Sequence, residues 1–453
     1  MQALKVSAAM AIVVFDIGKT NIKLSLVENG EIRQTVSTPD RAVQGAPYPH
    51  IDVEGIWSFL LRGLRDLTQV AAISDIVVVA HGAAGALVDA AGDLALPVLD
   101  YEMPIEGTAY DELAAPFSET FSPPMAGGLN LGRQIHWQAT HFPAEFARVR
   151  YILPYAQYWS YRLSGVASSE VTSLGCHTGL WQPAAGDFSS FVDRMGWRHL
   201  FASLRKAEDV LGPVLPEICA LTGLPADCRV RVGIHDSSAS FLRHRLSRPA
   251  PFAVASTGTW VVCMAAGASV DGLPAESCLA NVDVLGQPVP VCTFMGGREY
   301  AGLTNGAASL QPAAQDAASV IAAGDMLVPP VGQFGGPFGG KERGPDVPPR
   351  NPAENAARAS LYLALMTDYC LDLIKAKGPV VIEGSLVGNA LYLGALATLR
   401  APADLLVSED ATGTISGAAQ LAGQKLAPLS RRVAALDLPL GQYRQKWREA
   451  LPA

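Results

Sequence analysis

The chain has no hydrophobic run long enough for a membrane span, no stripe of basic residues and no C-x-x-C pair. Each absence closes a class of function. Lys and Arg total 34 against 42 Asp and Glu, a net charge of -8, so nucleic acid has no complementary surface to meet. Seven cysteines, an odd number at scattered positions, read as the reduced thiols of a cytoplasmic protein. No His, Cys and Asp spacing suggests zinc. Cys176-His177 invites a cysteine hydrolase, but adjacent side chains rarely meet as nucleophile and base, and no flanking signature accompanies them. Met1 to Phe15 is apolar like a signal peptide; Asp16 breaks the run without a convincing cleavage site, so a first strand is expected. Only 17% of residues are charged and 49% are hydrophobic, which implies well-buried cores. At 453 residues the chain exceeds the usual single-core limit. Two domains are expected, 1–245 and 246–453, joined near a basic, proline-containing stretch from Arg243 to Pro251.

What is there begins with Val13-Val14-Phe15-Asp16-Ile17-Gly18-Lys19-Thr20-Asn21-Ile22-Lys23-Leu24. An apolar run stops at Asp16, a small polar turn follows, and Ile22 to Val27 alternates as a half-buried strand does. Asn29-Gly30 signals a hairpin into a third extended stretch, Glu31 to Ser37. The opening therefore reads as an antiparallel meander. Its first bend is either a plain hairpin turn or a phosphate cradle. For the cradle, Gly18 permits close approach, and Thr20, Asn21 and Lys23 add donors and charge. Asp16 at the rim suits a magnesium ion held through its waters. Gly18-Lys19-Thr20 imitates the end of a Walker A loop, but Val13 stands where that motif needs glycine, and a strand follows instead of a helix.

Further along, Ile56, Phe59, Leu60, Leu64 and Leu67 share a helix face. Ile76 to Ala80 is a buried strand that delivers His81-Gly82-Ala83-Ala84-Gly85 at its carboxyl end, where α/β folds place ligands. Pro97-Val98-Leu99-Asp100-Tyr101 is a second candidate wall. From Pro123 to Gly196, helices and loops carry many aromatics, most of them expected in the core. Arg229 to Ile234 alternates as a strand and runs into His235-Asp236-Ser237-Ser238, a helix start. The opening pattern then recurs: strand Phe252 to Ala255, polar turn Ser256-Thr257-Gly258-Thr259, strand Trp260 to Met264. A glycine-rich loop, Val331 to Gly340, reads as surface or as a second contact to a phosphate. Pro379 to Ile382 is a buried strand ending in Glu383-Gly384-Ser385-Leu386-Val387-Gly388-Asn389, a small-residue turn that suits a flat nucleoside.

These pieces, in this order, resemble the FGGY family of carbohydrate kinases, within the actin/hexokinase/heat-shock-chaperone superfamily, from about Val13 to about Gly423. The first phosphate motif matches at Asp16 to Lys23, the second at Ser256-Thr257-Gly258-Thr259-Trp260, and the adenosine motif at Glu383-Gly384-Ser385 with Asn389. The resemblance implies an α/β fold of two ribonuclease-H-like, actin-like ATPase domains with a nucleotide and sugar cleft between them. Asp236 corresponds to the family's catalytic aspartate. His81 to Asp89 and Ile234-His235-Asp236 look most like the branch containing L-fuculose and L-rhamnulose kinases. Two departures stand out. Lys19 replaces a small hydroxyl residue, and Glu383-Gly384-Ser385 stands where paired glycines are common.

The reaction so implied is ATP-dependent phosphorylation of a sugar hydroxyl with Mg2+, on an L-fuculose- or L-rhamnulose-like ketose, a pentulose or a polyol. Asp236 would take the hydroxyl proton, its carboxylate kept ionised by a helix start; the plain alternative is a helix N-cap. ATP and its phosphates would meet Asp16, Gly18, Lys19, Thr20, Asn21 and Lys23 from one side. Thr257, Gly258, Thr259, Gly384, Ser385 and Asn389 would meet them from the other. His81, Gly82, Asp100, Tyr101 and Gln134 are the sugar-side candidates, although His81 can equally be a satisfied strand-end histidine and Gln134 a helix-surface residue. The rivals are a non-catalytic sugar or nucleotide sensor and a chaperone-type ATPase without its peptide-binding extension. No nucleic acid or membrane partner is expected, and the sequence leaves a homodimer open.

Overall fold

The structure is a computed structural model that describes residues 11–105, 109–125, 127–304, 310–331, 336–341, 351–408, 413–424 and 430–452. Residues 332–335 of the glycine-rich loop lie outside them. The chain forms two compact units. The first comprises Met1–Leu246, Asn281–Gln287 and Thr412–Ala427; the second Ser247–Ala280, Pro288–Ala411 and Pro428–Ala453. Neither of the two later excursions into the first unit carries a composition signal that would announce it. Among the described residues no helix is long and apolar enough to cross a membrane.

The first unit is built on a sheet with strands β1 (Ala11–Ile17), β2 (Asn21–Glu28), β3 (Glu31–Pro39) and β4 (Ile73–Ala80). A side sheet holds β5 (Gly85–Asp89), β6 (Leu94–Leu96) and β7 (Val149–Pro154). The main sheet is completed by β8 (Val210–Pro213), β9 (Arg229–Arg231) and β10 (Ile234–His235). Its order is β8-β9-β4-β1-β2-β3, with β10 also on β4. β1 and β4 are parallel and central, so both faces are covered and each carries an apolar run rich in Val and Ile, ended by Asp16 in β1 and preceded by Ser74 and Asp75 in β4. β3 is the edge, and its charges and hydroxyls face solvent. Asn29 (φ 54°) and Gly30 (φ 81°) turn β2 into β3, as the Asn-Gly pair foretells.

Helix α1 (Val53–Thr68) starts where the Asp52 side chain accepts the Gly55 amide at 2.9 Å. It buries Ile56, Leu60, Leu64 and Leu67 against the sheet, each contributing about 1.5–3 kcal/mol; Phe59 lies at the edge of that stripe. Helices α2 (Leu131–His141), α3 (Tyr155–Ser164), α4 (Val171–Leu174) and α5 (Asp236–Ser247) complete the frame of the site. The helix Gly413–Leu421 also packs on β1 and β4; its Gly417 lies so close to the Ala239 carbonyl that no side chain fits. The aromatic stretch is mostly core: Trp159 is fully buried, edge-on to Phe15 at 5.7 Å. It is not all helix and loop, since Val149–Pro154 is strand β7, paired with β5. The strand read over Arg229 to Ile234 is broken in two by Gly233 (φ 90°), whose missing side chain lets the chain pass the Val78 carbonyl.

The second unit repeats the opening. β11 (Phe252–Thr257) and β12 (Val261–Ala266) form its first hairpin. With β13 (Cys278–Val282), β14 (Pro288–Phe294), β15 (Val380–Gly384), β16 (Leu405–Ser408) and β17 (Ser430–Arg432), the sheet order is β13-β14-β12-β11-β15-β16-β17. As in the first unit, the leading strand has an antiparallel partner on one side and a parallel one on the other. Helices α6 (Gly296–Leu303), α7 (Pro352–Leu373), α8 (Ala390–Arg400) and α9 (Leu440–Glu449) accompany it. The periodicity of Leu363, Met366 and Cys370 suggests one apolar face, but α7 is buried on nearly every side. Its Asp368 carboxylate is buried and meets Arg400 at 3.2 Å, Arg444 at 3.5 Å and Arg448 at 2.9 Å. That ion cluster joins α7, α8 and α9.

Candidate active site

In the first unit three strands end level with one another. Val79 of β4 pairs with Asp16 on one side and Ile234 on the other, and Ala80 pairs with Ile17 and His235. The residues that leave the sheet there are Asp16, His81-Gly82 and His235-Asp236. Parallel strands must present their carboxyl ends together, which is why three segments far apart in sequence meet. The His81 amide donates to the Ile17 carbonyl at 3.2 Å, extending that ladder one step past β4.

Asp236 opens α5 but does not cap it in the usual manner. Its Oδ1 accepts the next amide, Ser237, at 2.5 Å, the Ser237 hydroxyl at 3.2 Å, and approaches His235 Nε2 at 3.0 Å. An N-cap would take an amide two or three residues on. Among the described residues no donor reaches Oδ2, and a third of the side chain is open. Burial pushes the carboxyl up, but the neighbouring His235, His81 and Ser237 amide outweigh it and hold it at about 2. Asp16 behaves oppositely. Burial, then the charge of Asp236, raise it to about 6 against the opposing pull of Lys23, its cross-strand partner. Two neighbouring carboxyls with divergent ionisation are a functional signature.

Lys19 is not free. Its ammonium pairs with buried Asp100 and, at 3.6 Å, with Glu102, and it lies 4.7 Å from the centre of the Tyr101 ring. Tyr101 in turn meets the His81 ring edge-on at 5.3 Å. Gly18 closes the turn through its amide to the Asn21 carbonyl at 3.1 Å, while Thr20 and Asn21 stand exposed. Gln134 is no surface residue. It is 1% exposed, and its amide donates to the Ala83 carbonyl at 2.6 Å and to the Gly128 carbonyl. Its donors are spent on holding the His81–Gly85 loop in place.

The sugar-side candidate Gly82 and the pair Cys176-His177 also crowd this centre. Gly82 has no side chain because Cys176 Sγ and the His235 ring fill that space. His177 has φ 44°, a strained value for a residue with a Cβ. Burial, then His235, lower His177 to about 4; burial, first among its causes, lowers His81 likewise to about 4. Both rings are therefore neutral near pH 7, and each has a buried Nδ1 with no hydrogen-bond partner among the described residues. Cys176-His177 is thus part of this centre, but not as a dyad, since the Cys176 thiol donates to the Ser173 carbonyl and burial holds it protonated.

The corresponding turn of the second unit is closed by the Gly258 amide to the Trp260 carbonyl at 2.8 Å. Thr259 is exposed. Thr257 is buried; its hydroxyl donates to the Glu383 carbonyl at 2.6 Å and accepts the Leu386 amide at 2.9 Å, so it anchors the turn after β15. Gly384 (φ 89°) lies against the Thr257 backbone, where any Cβ would collide. Ser385 is exposed at the start of a short 3-10 turn, and Asn389 is the N-cap of α8, accepting the Tyr392 amide at 2.9 Å and donating to Ser360 at 2.9 Å. The hydroxyl of Thr257 and the amide of Asn389 are therefore occupied within the fold. Gly296-Gly297, at the positive end of α6, went unread in the sequence. Gly297 lies directly against the Gly258 carbonyl.

Two α/β units, each headed by a strand–turn–strand hairpin, with an acidic strand-end centre in the first, make up the frame of an actin-like ATPase fold. Comparison agrees. Residues 249–429 match the model of the carbohydrate kinase FGGY C-terminal domain. A carbohydrate kinase from Novosphingobium aromaticivorans superposes with a TM-score of 0.91 at 36% identity, covering 97% of this chain and 98% of that one. Xylulose kinase from Rhodospirillum rubrum, at TM-score 0.77, 20% identity and 97% coverage of both chains, shares the fold. L-fuculokinase of Escherichia coli (strain K12) is 26% identical over 273 residues, 57% of this chain and 57% of that protein, so the match spans little more than half the length of this curated relative. The chain belongs to the FGGY carbohydrate kinase family.

Proposed function

We propose that this protein transfers the γ-phosphoryl group of ATP to a hydroxyl of a neutral ketose, with an L-fuculose- or L-rhamnulose-like sugar favoured over a pentulose or polyol. The first unit carries the sugar and the base, and the second carries nucleotide contacts. The observation that bears most weight is Asp236: one carboxylate oxygen is tied down by three contacts from Ser237 and His235, and the other meets no donor among the described residues. That second oxygen accepts the substrate hydroxyl and then its proton. A carboxyl held at about 2 is a weak base, but phosphoryl transfer has a loose transition state, so an oriented, permanently charged acceptor suffices.

His81 and His177, both neutral, shape the sugar side without adding charge. Asp16 fits a water-mediated magnesium ion. Its carboxyl is raised by burial and by a second carboxylate, and a cation relieves both. Magnesium needs only one or two protein carboxylates alongside the phosphates, and would neutralise phosphate charge there. Thr259, Ser385 and the backbone around Gly258 remain for the nucleotide. The test is a coupled ADP-release assay over a panel of ketoses and polyols. Sugar-stimulated ADP formation, strongest with a 6-deoxyketose, is expected. ADP formation independent of any sugar, or none at all, overturns the proposal in favour of an ATPase or a sensor.

A further inference from the structure

The kinase reading leaves His235 without a task, although it is buried and contacted at its backbone and at both ring nitrogens. Its amide donates to Thr172 Oγ1 at 3.1 Å, and that hydroxyl donates to the buried Glu170 carboxylate at 2.6 Å. The ring is 5% exposed and packs where a side chain at Gly82 would stand, 3.1 Å from Cδ2 and 3.2 Å from Nε2. Its Nδ1 lies 3.3 Å from the Ser238 hydroxyl. Its Nε2 lies 3.0 Å from Asp236 Oδ1.

A carboxylate has no proton to give, so the hydrogen on that contact belongs to Nε2. In the neutral ring Nδ1 is then bare and accepts the Ser238 hydroxyl. Of the other titratable groups near this pair, Asp16 and the protonated Cys176 thiol supply no positive charge, and the rings of His81 and His177 are neutral around pH 7 and do not compete for the carboxylate. Resting on the kinase reading, we infer that His235 is a positioning residue for the transfer: its Nε2–H pins Oδ1 of Asp236, and this fixes the direction in which Oδ2 meets the substrate hydroxyl. Without it Oδ1 keeps only the contacts of Ser237, its amide and its hydroxyl, and the acceptor oxygen is less firmly aimed.

Two measurements on the full chain test this. In the ADP-release assay with the best sugar of the panel, His235→Ala should lower kcat about 30-fold or more, because a small misplacement of a reacting group can cost up to about 100-fold. The KM for ATP should stay within about threefold, and His235→Gln, whose amide can donate from nearly the Nε2 position, should recover at least a third of wild-type kcat. A kcat for His235→Ala within threefold of wild type, or an equal loss in His235→Gln and His235→Ala, overturns the inference. A thermal midpoint for each variant separates loss of aim from loss of fold. Independently of turnover, 15N spectra of imidazole-labelled protein at neutral pH should show Nε2 of His235 protonated, and a bare Nε2 overturns the inference outright. Absence of sugar-dependent turnover in the wild type would instead sink the kinase reading, leaving the 15N spectrum to decide the hydrogen bond.

Discussion

The two hairpin turns have the same strand pattern and opposite chemistry. The first, between β1 and β2, is charged: Asp16, Lys19 and Lys23 stand within eight positions, and Lys19 already serves buried Asp100. The second, between β11 and β12, carries no charge at all. It offers a hydroxyl, backbone and the positive end of α6 packed behind it. One architectural unit has thus been used twice, once to place ionisable groups and once to place backbone. Side chains can titrate and be replaced singly. Backbone depends here on Gly297 and Gly384, where an added Cβ would collide with the Gly258 and Thr257 carbonyls.

The strongest way to break that comparison is Asp236→Asn. On the proposed mechanism the first unit supplies one carboxylate as base, so kcat should fall about 100- to 10,000-fold. The thermal midpoint should hardly move, because the amide keeps the shape and Asp236 does not cap α5. Full activity in the variant would remove the base from the mechanism. Next comes Asp16→Asn, which should weaken magnesium affinity about 10- to 100-fold, as loss of a group supporting a bound ion typically does. The wild type should show the same weakening as pH falls through about 6, since Asp16 is held above the ordinary carboxylate range and is protonated below that point. Magnesium titrations between pH 5 and 8 would reveal it. A raised carboxyl contributes stability that is present at low pH and lost as pH rises through about 6. Accordingly Asp16→Asn should gain stability relative to the wild type at pH 8 and not at pH 4.

In the second turn a milder change suffices. Gly297→Ala places a Cβ against the Gly258 carbonyl and must shift the turn; the KM for ATP should rise about tenfold with kcat less affected. An unchanged KM would mean that the turn does not touch nucleotide. The smallest effect belongs to Lys19→Met. Because its charge is already committed to Asp100 and Glu102, the KM for ATP should stay within about threefold, while stability falls by about 1–3 kcal/mol from the stranded Asp100. A tenfold rise in KM would make Lys19 a phosphate ligand and sharpen the contrast between the turns further.

Much of the frame was legible in the linear chain. Buried parallel strands carry Val and Ile runs, and Asn29-Gly30 marks its hairpin; these are local signals, so β1, β2, β3 and β4 fall where the pattern places them. Asp236 stood out because a strand end running into a helix start is also local. What stayed hidden was partnership. Nothing near Lys19 announces Asp100, eighty-one positions away. Nothing near Thr257 announces that its hydroxyl will be used by Glu383 and Leu386. Gln134 sits in an amphipathic helix whose buried side depends on a loop fifty-one positions earlier. His177 is recognisable only by its backbone angle. Residue type proposes a donor; only the fold decides who receives it.

The Asp368 cluster has one more implication, for ionic strength. Mobile ions screen charges at a surface and hardly reach a carboxylate enclosed by three guanidinium groups. Potassium chloride should therefore leave the junction of α7, α8 and α9 untouched. It should loosen open pairs such as Arg198 with Asp187 and Asp193 in the first unit. Brine, added gradually, becomes a probe that distinguishes this enclosed cluster from the open surface pairs.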